Sequence, residues 1–294
     1  MKVKGIFPPI ITPFNENGQI DKRRFEELLE FWSKFVDGMF VCGSYGSGPL
    51  MSLEERELVF EIVSKNVTTK PLIAHVGAIT TSMAVQLARH AEKNGAVAVA
   101  AVPPFYYSHT ARSIQAHFEA IINAVSIPVY AYDNPKTTGN PLTPELLSAL
   151  ANLGLHGLKD SSFDIGKMYM AMRTVERPDF DFVIGSESLM LPAFTMGVRG
   201  CIAGLGNPFP EVMKKFHSVV LSGSAEDAKN WQTRVLKLWD ILHIGPSVPT
   251  AYEILRLRGM DPGYPRKPFL PLEKSTSKKL EEALEKTKDL WDLA

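Results

Sequence analysis

The sequence predicts an α/β protein: a TIM (β/α)8 barrel with a C-terminal helical extension. Two observations carry this prediction, namely eight short apolar runs and the amphipathic helical segments that alternate with them. Parallel strands require crossover helices, so eight strand–helix pairs of roughly 25 to 30 residues favour a closed barrel. The expected strands span residues 5–12, 38–42, 72–76, 97–102, 129–132, 157–159, 182–184 and 200–203.

Helix-start signals lie where this alternation requires them. Residues 24–35 place apolar side chains at three- and four-residue spacing, which predicts a helix with one buried face. Ser52 and Glu55 form the pattern of a capping box. Thr143 followed by Pro144 places a capping residue before a proline at the first helical position. The sequence therefore predicts where these helices begin.

Strand signals stop after about residue 224, and helical segments follow. We expect a barrel catalytic domain over residues 1–223 and a helical extension over residues 224–294, packed on the barrel. A doubly wound open sheet is the alternative fold. Its nucleotide-binding form would show a glycine fingerprint after the first strand, where this chain has Pro8, Pro9 and Pro13. The helices expected in the extension span residues 231–242, 250–257 and 278–290.

Composition and charge limit the possible functions. The 294 residues are 45% hydrophobic and 22% charged, which is typical of a soluble globular protein. Lys plus Arg and Asp plus Glu number 32 each, so we expect no nucleic-acid partner and no membrane surface. No apolar run could span a bilayer, and signal-peptide features are missing, which predicts a cytoplasmic protein. Cys42 and Cys201 lie in apolar runs and are expected to be buried free thiols. The dispersed histidines have no ligand-like spacing, so we expect no catalytic metal and structural roles for His75, His117 and His156.

Lys159, at the end of the sixth predicted strand, is the first candidate for chemistry. Active sites of such barrels lie at the C-terminal ends of the strands. A lysine in the core loses hydration, which lowers its pKa and makes its amine a nucleophile that attacks ketones to form an imine. The alternative is a lysine at the rim of the barrel, paired with Asp160 in solvent.

Three further strand ends carry candidate residues. Tyr132 ends the fifth strand, where its phenol could relay a proton or simply close the barrel mouth. Residues 43–48 form a glycine-rich turn that could hold a carboxylate with its backbone N–H groups or serve as an ordinary loop. Gly185, Ser186 and Glu187 end the seventh strand and could bind substrate hydroxyls or cap the next helix.

Several short motifs, taken in order, resemble the dihydrodipicolinate synthase and N-acetylneuraminate lyase superfamily of class I pyruvate-dependent aldolases. Their order and spacing are specific, and the resemblance extends through the C-terminal helices. It implies a TIM barrel, usually a homotetramer, and an enzyme that forms a covalent imine with a 2-keto acid; we expect no other cofactor. The matching segments lie at residues 12–21, 43–46, 52–56, 132–139 and 157–160.

The resemblance also implies roles for individual residues. Lys159 matches the Schiff-base lysine of the family, and Tyr132 matches its catalytic tyrosine. Ser44 and Tyr45 fall where the family binds the carboxylate of the 2-keto acid. Tyr106 matches a tyrosine that, in the synthase branch, crosses into the neighbouring subunit's site and takes part in catalysis there.

Departures from the synthase pattern favour a different branch. Thr137 stands where synthases place an arginine, so the bidentate partner expected for the product carboxylate is missing. The segments at residues 46–49 and 263–268 are more similar to archaeal 2-keto-3-deoxygluconate aldolases. Tyr45 fits neither branch: a threonine hydroxyl there normally links two tyrosines in a proton relay, and Ser44 is the nearest hydroxyl that could replace it.

The leading hypothesis is a class I aldolase that reversibly cleaves a 2-keto-3-deoxy sugar acid, such as 2-keto-3-deoxygluconate, to pyruvate and an aldehyde. A 4-hydroxy-tetrahydrodipicolinate synthase, which condenses pyruvate with aspartate semialdehyde, is the first alternative. A non-catalytic homologue that binds a keto acid, motivated by Tyr45, is the second. The expected partners are therefore small molecules, a 2-keto acid and an aldehyde.

Overall fold

The structure, a computed structural model that describes residues 2–293, confirms the TIM barrel. Eight parallel strands follow one another in the order β1-β8-β7-β6-β5-β4-β3-β2. A parallel bridge between Pro9 and Phe40 joins the segment that follows the first strand to the second strand and closes the ring. The strands are β1 Gly5–Ile6, β2 Met39–Val41, β3 Leu72–His75, β4 Ala98–Ala101, β5 Val129–Asp133, β6 Gly157–Asp160, β7 Asp181–Ile184 and β8 Gly200–Cys201.

Helices surround the strands, as crossover connections between parallel strands require. Single 3₁₀ turns at Gly48–Leu50, Glu187–Leu189 and Gly204–Gly206 follow β2, β7 and β8. No helix within residues 2–293 is long and apolar enough to cross a membrane. The helices are α1 Lys22–Ser33, α2 Leu53–Asn66, α3 Thr81–Lys93, α4 Ala111–Ile122, α5 Pro135–Thr138, α6 Pro144–Asn152, α7 Ile165–Thr174, α8 Met190–Thr195, α9 Pro210–Ser222, α10 Ala225–Leu242, α11 Ser247–Leu257, α12 Lys274–Lys286 and α13 Lys288–Trp291.

The predicted elements are present, but several differ in extent: α10 and α11 begin at Ala225 and Ser247, earlier than the predicted residues 231 and 250. The first strand ends after Ile6, because Pro8 and Pro9 have no N–H group to donate to a strand ladder. The helix predicted over residues 278–290 is interrupted at Thr287, which separates α12 from α13. The other predicted strands agree with the structure to within two residues at either end.

Local capping chemistry agrees with the sequence prediction. The Ser52 hydroxyl accepts a hydrogen bond from the Glu55 N–H, and the Glu55 carboxylate accepts one from the Ser52 N–H, so the capping box is confirmed. Thr143 caps α6 by accepting from the Leu146 N–H, with Pro144 in the first turn. Both predicted cysteines, Cys42 and Cys201, are buried free thiols.

The C-terminal extension packs directly on the barrel. One hydrophobic cluster contains Ile184 and Cys201 from the strands together with Val235, Leu238 and Leu280 from the extension. Each of these side chains is at most 2% exposed. Because the strands and the extension bury the same apolar surface, α10 to α13 form part of the outer layer that supports β7 and β8.

The pairing of β5 with β6 positions the most unusual residues of the chain. Tyr132 lies opposite Lys159, and Asp133 lies opposite Asp160. Side chains alternate between the two faces of a strand, so one pair points into the barrel and the other points toward the helices. Tyr132 packs in the cluster inside the barrel, whereas Asp133, 1% exposed, forms an ion pair with Lys167 of α7.

We predict that Lys167→Met lowers the free energy of unfolding by about 3 kcal/mol, because it leaves the buried Asp133 carboxylate without its cation. Chemical denaturation measures this change. Lys214→Met is the matched control: the Lys214 ion pair with Asp37 is partly exposed to solvent, so its loss should cost at most about 1 kcal/mol. Equal losses for both variants would contradict the proposed support of β5 by α7.

Candidate active site

Lys159 lies inside the barrel rather than at its rim. Its side chain is 2% exposed, and its Nζ atom lies 3.7 Å from the ring centroid of Tyr132 and 4.1 Å from that of Phe40. Asp160 points to the other face of the strand, so the solvent-exposed Lys159–Asp160 pair considered as the alternative is wrong. The aromatic faces partly replace the water that the ammonium loses on burial.

The protonation equilibrium of Lys159 is shifted toward the neutral amine. Burial lowers the pKa of Lys159, because the charged form loses hydration inside the barrel. The nearby Tyr132 phenol and the more distant Cys201 and Glu187 oppose this shift without cancelling it. The site therefore holds an amine that is more nucleophilic near neutral pH than a surface lysine.

Hydroxyl and amide groups surround the Tyr132 phenol. Asn134 donates to its oxygen at 3.2 Å, and the hydroxyls of Ser44 and Ser161 also hydrogen-bond with it. Burial raises the pKa of Tyr132, but Lys159 and these hydrogen bonds outweigh burial and lower it. The phenol is therefore set up to give and take a proton next to the amine.

The glycine-rich turn after β2 separates the two neighbouring candidates, Ser44 and Tyr45. Ser44 contacts the Tyr132 phenol, while the Tyr45 ring lies against Gly204 in the 3₁₀ turn that follows β8. A Cβ atom on Gly204 would lie 2.3 Å from the Tyr45 hydroxyl oxygen, so the ring needs a glycine there. Burial and the nearby Glu187 raise the pKa of Tyr45, and its phenol hydrogen-bonds with Ser247 of α11.

The candidates at the end of β7 are buried and engaged with their own neighbours. The Ser186 hydroxyl lies 2.7 Å from that of Ser188, and the Glu187 carboxylate accepts from the Leu205 N–H at 3.2 Å. Burial raises the pKa of Glu187 to about 7, although the backbone hydrogen bonds that its carboxylate accepts act to lower it. Gly185 permits close contact with β6, since a Cβ there would meet the Ser161 hydroxyl at 1.9 Å.

Tyr106 is not brought to Lys159 within the single chain. It is 84% exposed on the loop after β4, has a left-handed backbone (φ 82°), and packs edge-to-face on Tyr107 with centroids 5.0 Å apart. A strained backbone that holds an aromatic ring out into solvent is compatible with a role in a neighbouring subunit.

A cavity of about 300 Å³ lies on the side of β2 to β5. Ser44 and His75 connect it to the site, because Ser44 contacts the Tyr132 phenol and the His75 ring lies 5.7 Å from the Tyr132 ring. Among residues 2–293, no charged side chain lines this cavity. Its lining residues are Ser44, Ser47, Pro49, Leu50, His75, Val102, Phe105, Thr137, Thr138, Pro268 and Phe269.

Sequence reasoning missed several of these contributors. His75 was expected to be structural, yet it lines the cavity, and burial together with the cations Arg56 and Lys159 lowers its pKa well below the usual range, so that it is neutral. Asn134 directly follows β5 and Ser161 directly follows β6. Their position at the ends of these strands could have identified them from the sequence. Nothing local marks Ser247 as a partner of the glycine-rich turn, since it lies on a distant helix.

A (β/α)8 barrel with a lysine buried at the end of the sixth strand and a phenol beside it is the arrangement of enzymes that bind carbonyl substrates as imines. The chain belongs to the dihydrodipicolinate synthetase family, whose model matches residues 2–287. It is accordingly a class I lyase or aldolase that works through a Schiff base with pyruvate or a related 2-keto acid.

Relatives named for different enzyme activities have similar sequence identity to this chain. The chain is 31% identical to a 4-hydroxy-tetrahydrodipicolinate synthase of Archaeoglobus fulgidus, covering 96% of this chain and 97% of the relative. It is 30% identical to an N-acetylneuraminate lyase of Rhizobium meliloti, covering 97% and 95%. A variant of the Sulfolobus solfataricus 2-keto-3-deoxygluconate aldolase in complex with L-2-keto, 3-deoxy-galactonate superimposes with a TM-score of 0.89 at 26% identity, covering 97% and 96%.

We predict that Tyr132→Phe lowers turnover by about 10²–10⁴-fold while pyruvate binding changes little, because the phenol moves a proton. The Tyr132 phenol raises the pKa of Lys159, so its loss should also shift the acid limb of the pH–rate profile to lower pH. Steady-state kinetics across pH test both effects. Tyr130→Phe, on the same strand but bonded to Asp181, is the control and should retain turnover. Unchanged turnover in Tyr132→Phe would leave Tyr132 a packing residue.

We predict that Tyr45→Phe keeps turnover and loses about 1 kcal/mol of stability, because the ring still covers Gly204 and only the hydrogen bond with Ser247 is lost. Ser247→Ala should reproduce that loss. Tyr45→Thr removes the ring and should broaden the range of aldehydes accepted. Turnover on short and long substrates tests this; a Tyr45→Phe variant that loses turnover while Ser247→Ala keeps it would assign the phenol a direct role.

Proposed function

We propose that the protein cleaves a 2-keto-3-deoxy sugar acid, of the 2-keto-3-deoxygluconate type, reversibly to pyruvate and an uncharged aldehyde. The observation that carries this proposal is the Lys159 amine, which is buried against Tyr132 and has a lowered pKa. Beyond Ser44 and His75 lies a cavity with no charged lining residue in the part of the chain that the structure describes. The lysine supplies the imine chemistry, and the uncharged cavity selects the aldehyde.

The reaction begins when the Lys159 amine attacks the C2 carbonyl of the keto acid and water leaves, which forms a protonated imine. The C3–C4 bond then breaks: its electron pair flows toward the iminium nitrogen, and the C4 hydroxyl loses its proton as it becomes the aldehyde. Tyr132 accepts that proton and returns a proton to C3 of the resulting enamine. Water hydrolyses the imine and releases pyruvate, so no cofactor other than the imine is needed.

The glycine-rich turn at residues 43–48 holds the carboxylate of the keto acid, with Ser44 and Tyr45 as its flanking residues. Ser44 also bonds with the Tyr132 phenol, so one loop positions the substrate and the proton-transfer group together. Tyr106, exposed on one chain, completes the site of a neighbouring subunit in a homotetramer. An exposed aromatic ring at a barrel mouth has an apolar surface to bury in such an assembly.

The synthase activity is the second candidate, and the name of the Archaeoglobus fulgidus relative favours it. Its aldehyde, aspartate semialdehyde, carries a carboxylate and would need a cation at the cavity. Thr137 occupies the wall where that cation is expected, and its hydroxyl donates to the Asn134 carbonyl at 3.1 Å. A non-catalytic keto-acid-binding protein is the third candidate; the retained pair of Lys159 and Tyr132 argues against it.

We predict that borohydride traps pyruvate on Lys159, because reduction converts the imine to a stable secondary amine. Peptide mass spectrometry locates the adduct, and Lys167→Met, which removes the next lysine along the chain, should be trapped like the parent protein. A panel that compares 2-keto-3-deoxygluconate with aspartate semialdehyde then separates the candidates. An adduct elsewhere refutes the mechanism, turnover confined to aspartate semialdehyde identifies the synthase, and trapping without any turnover identifies a binding protein.

A further inference from the structure

We propose that this enzyme prefers an aldehyde that ends in an apolar group, so that 2-keto-3-deoxy sugar acids with a terminal methyl or larger alkyl group react faster than those, such as 2-keto-3-deoxygluconate, that end in a hydroxymethyl group. This inference rests on the proposed function and refines it by naming the substrate class. It follows from where the site leaves room for the substrate and from which side chains line that room.

The side of the site next to β7 and β8 is already filled. The Tyr45 ring occupies the space over Gly204, and the Glu187 carboxylate behind it is 4% exposed and bonded to the Leu205 N–H. Ser186 is 1% exposed and pairs with Ser188. The polar groups that could have received sugar hydroxyls on this side are thus buried and engaged with the protein.

The free space lies on the opposite side, in the cavity of about 300 Å³ between β2 and β5. His75 and Ser44 lie at its end nearest to Tyr132 and Lys159. The remaining wall is mainly apolar, because six of the lining side chains are hydrocarbon or proline: Pro49, Leu50, Val102, Phe105, Pro268 and Phe269. An aldehyde attached to C3 of the imine has this cavity as its available volume.

The hydroxyls on the wall do not offset its apolar character. The Ser47 hydroxyl has no hydrogen-bond partner within residues 2–293, but it is fully buried and is not accessible from the cavity. Thr137 and Thr138 both donate to the Asn134 carbonyl, each at 3.1 Å, so their protons are already engaged. The His75 Nδ1 atom donates to the Cys42 carbonyl at 3.1 Å, which leaves Nε2 as an acceptor, and Nε2 has no partner within residues 2–293. This Nε2 atom is buried and faces Gly77, so it offers no partner to a hydroxyl in the cavity.

The geometry therefore points to an aldehyde whose far end is apolar. A terminal hydroxymethyl group would be placed against Leu50, Phe105 or Phe269 without a hydrogen-bond partner, whereas a methyl group would lose only water contact. A hydrophobic pocket discriminates by about 10- to 100-fold between such pairs.

The test is condensation of pyruvate with lactaldehyde or glyceraldehyde, which differ only in a terminal methyl or hydroxymethyl group. We expect kcat/KM for lactaldehyde to exceed that for glyceraldehyde by about tenfold or more. Equal values, or a preference for glyceraldehyde, would overturn this inference while leaving the imine mechanism intact. Failure of the proposed function itself would appear separately, as loss of borohydride trapping on Lys159.

Substitutions at Phe269 test whether this wall of the cavity causes the preference for lactaldehyde. Phe269→Ser places a hydroxyl on the cavity wall and should reduce the lactaldehyde preference at least threefold, whereas Leu270→Ser, at the 66% exposed neighbouring position, should leave it unchanged. Phe269→Leu keeps the wall apolar and should retain the preference even if Phe269→Ser proves unstable. An unchanged preference in folded Phe269→Ser, or its loss in Phe269→Leu and Leu270→Ser alike, would refute the assignment of this wall.

Discussion

The burial of one amine is the constraint on which the rest of this site depends. Lys159 is nearly inaccessible to water, and a charged ammonium in that position loses most of its hydration. Contact with the ring faces of Tyr132 and Phe40 offsets part of this loss of hydration free energy. The part that is not offset lowers the pKa of Lys159. The nucleophile is thus produced by the barrel interior itself, and the surrounding residues act by orienting a substrate around it.

On two adjacent strands, the residues of one face take part in the chemistry and the residues of the other face stabilise the barrel. On β5 and β6, the inward residues are Tyr132 and Lys159, and the outward residues are the carboxylates Asp133 and Asp160. Burial raises the pKa of Asp160, and Lys167 forms an ion pair with Asp133, so the outward face has its own charge balance. Because successive residues alternate between the faces, the reactive pair is fixed in register by neighbours that never meet the substrate.

Periodic features of the chain were accessible from the sequence, whereas contacts between distant segments were not. The strands, the capping box at Ser52 and the strand-end position of Lys159 all follow from local patterns. A lone histidine has no informative spacing, so the sequence predicts only a structural role for His75. Its place at the cavity depends on the contact between side chains of β3 and β5 inside the barrel. The contact of Tyr45 with Gly204 and Ser247 joins three separate segments, and no periodicity encodes it.

The cavity wall has a consequence for how such enzymes diversify. Its residues come from five separate segments. His75 belongs to β3, whereas the other four segments, represented by Leu50, Phe105, Thr137 and Phe269, lie outside the strands of the barrel. Exchange of the segment that carries Phe269 between homologues would transplant one wall of the acceptor pocket without touching the imine-forming lysine. In a lineage that duplicates this gene, new substrate preferences are therefore accessible through loop and C-terminal replacements, while selection on the reaction itself keeps the strands constant.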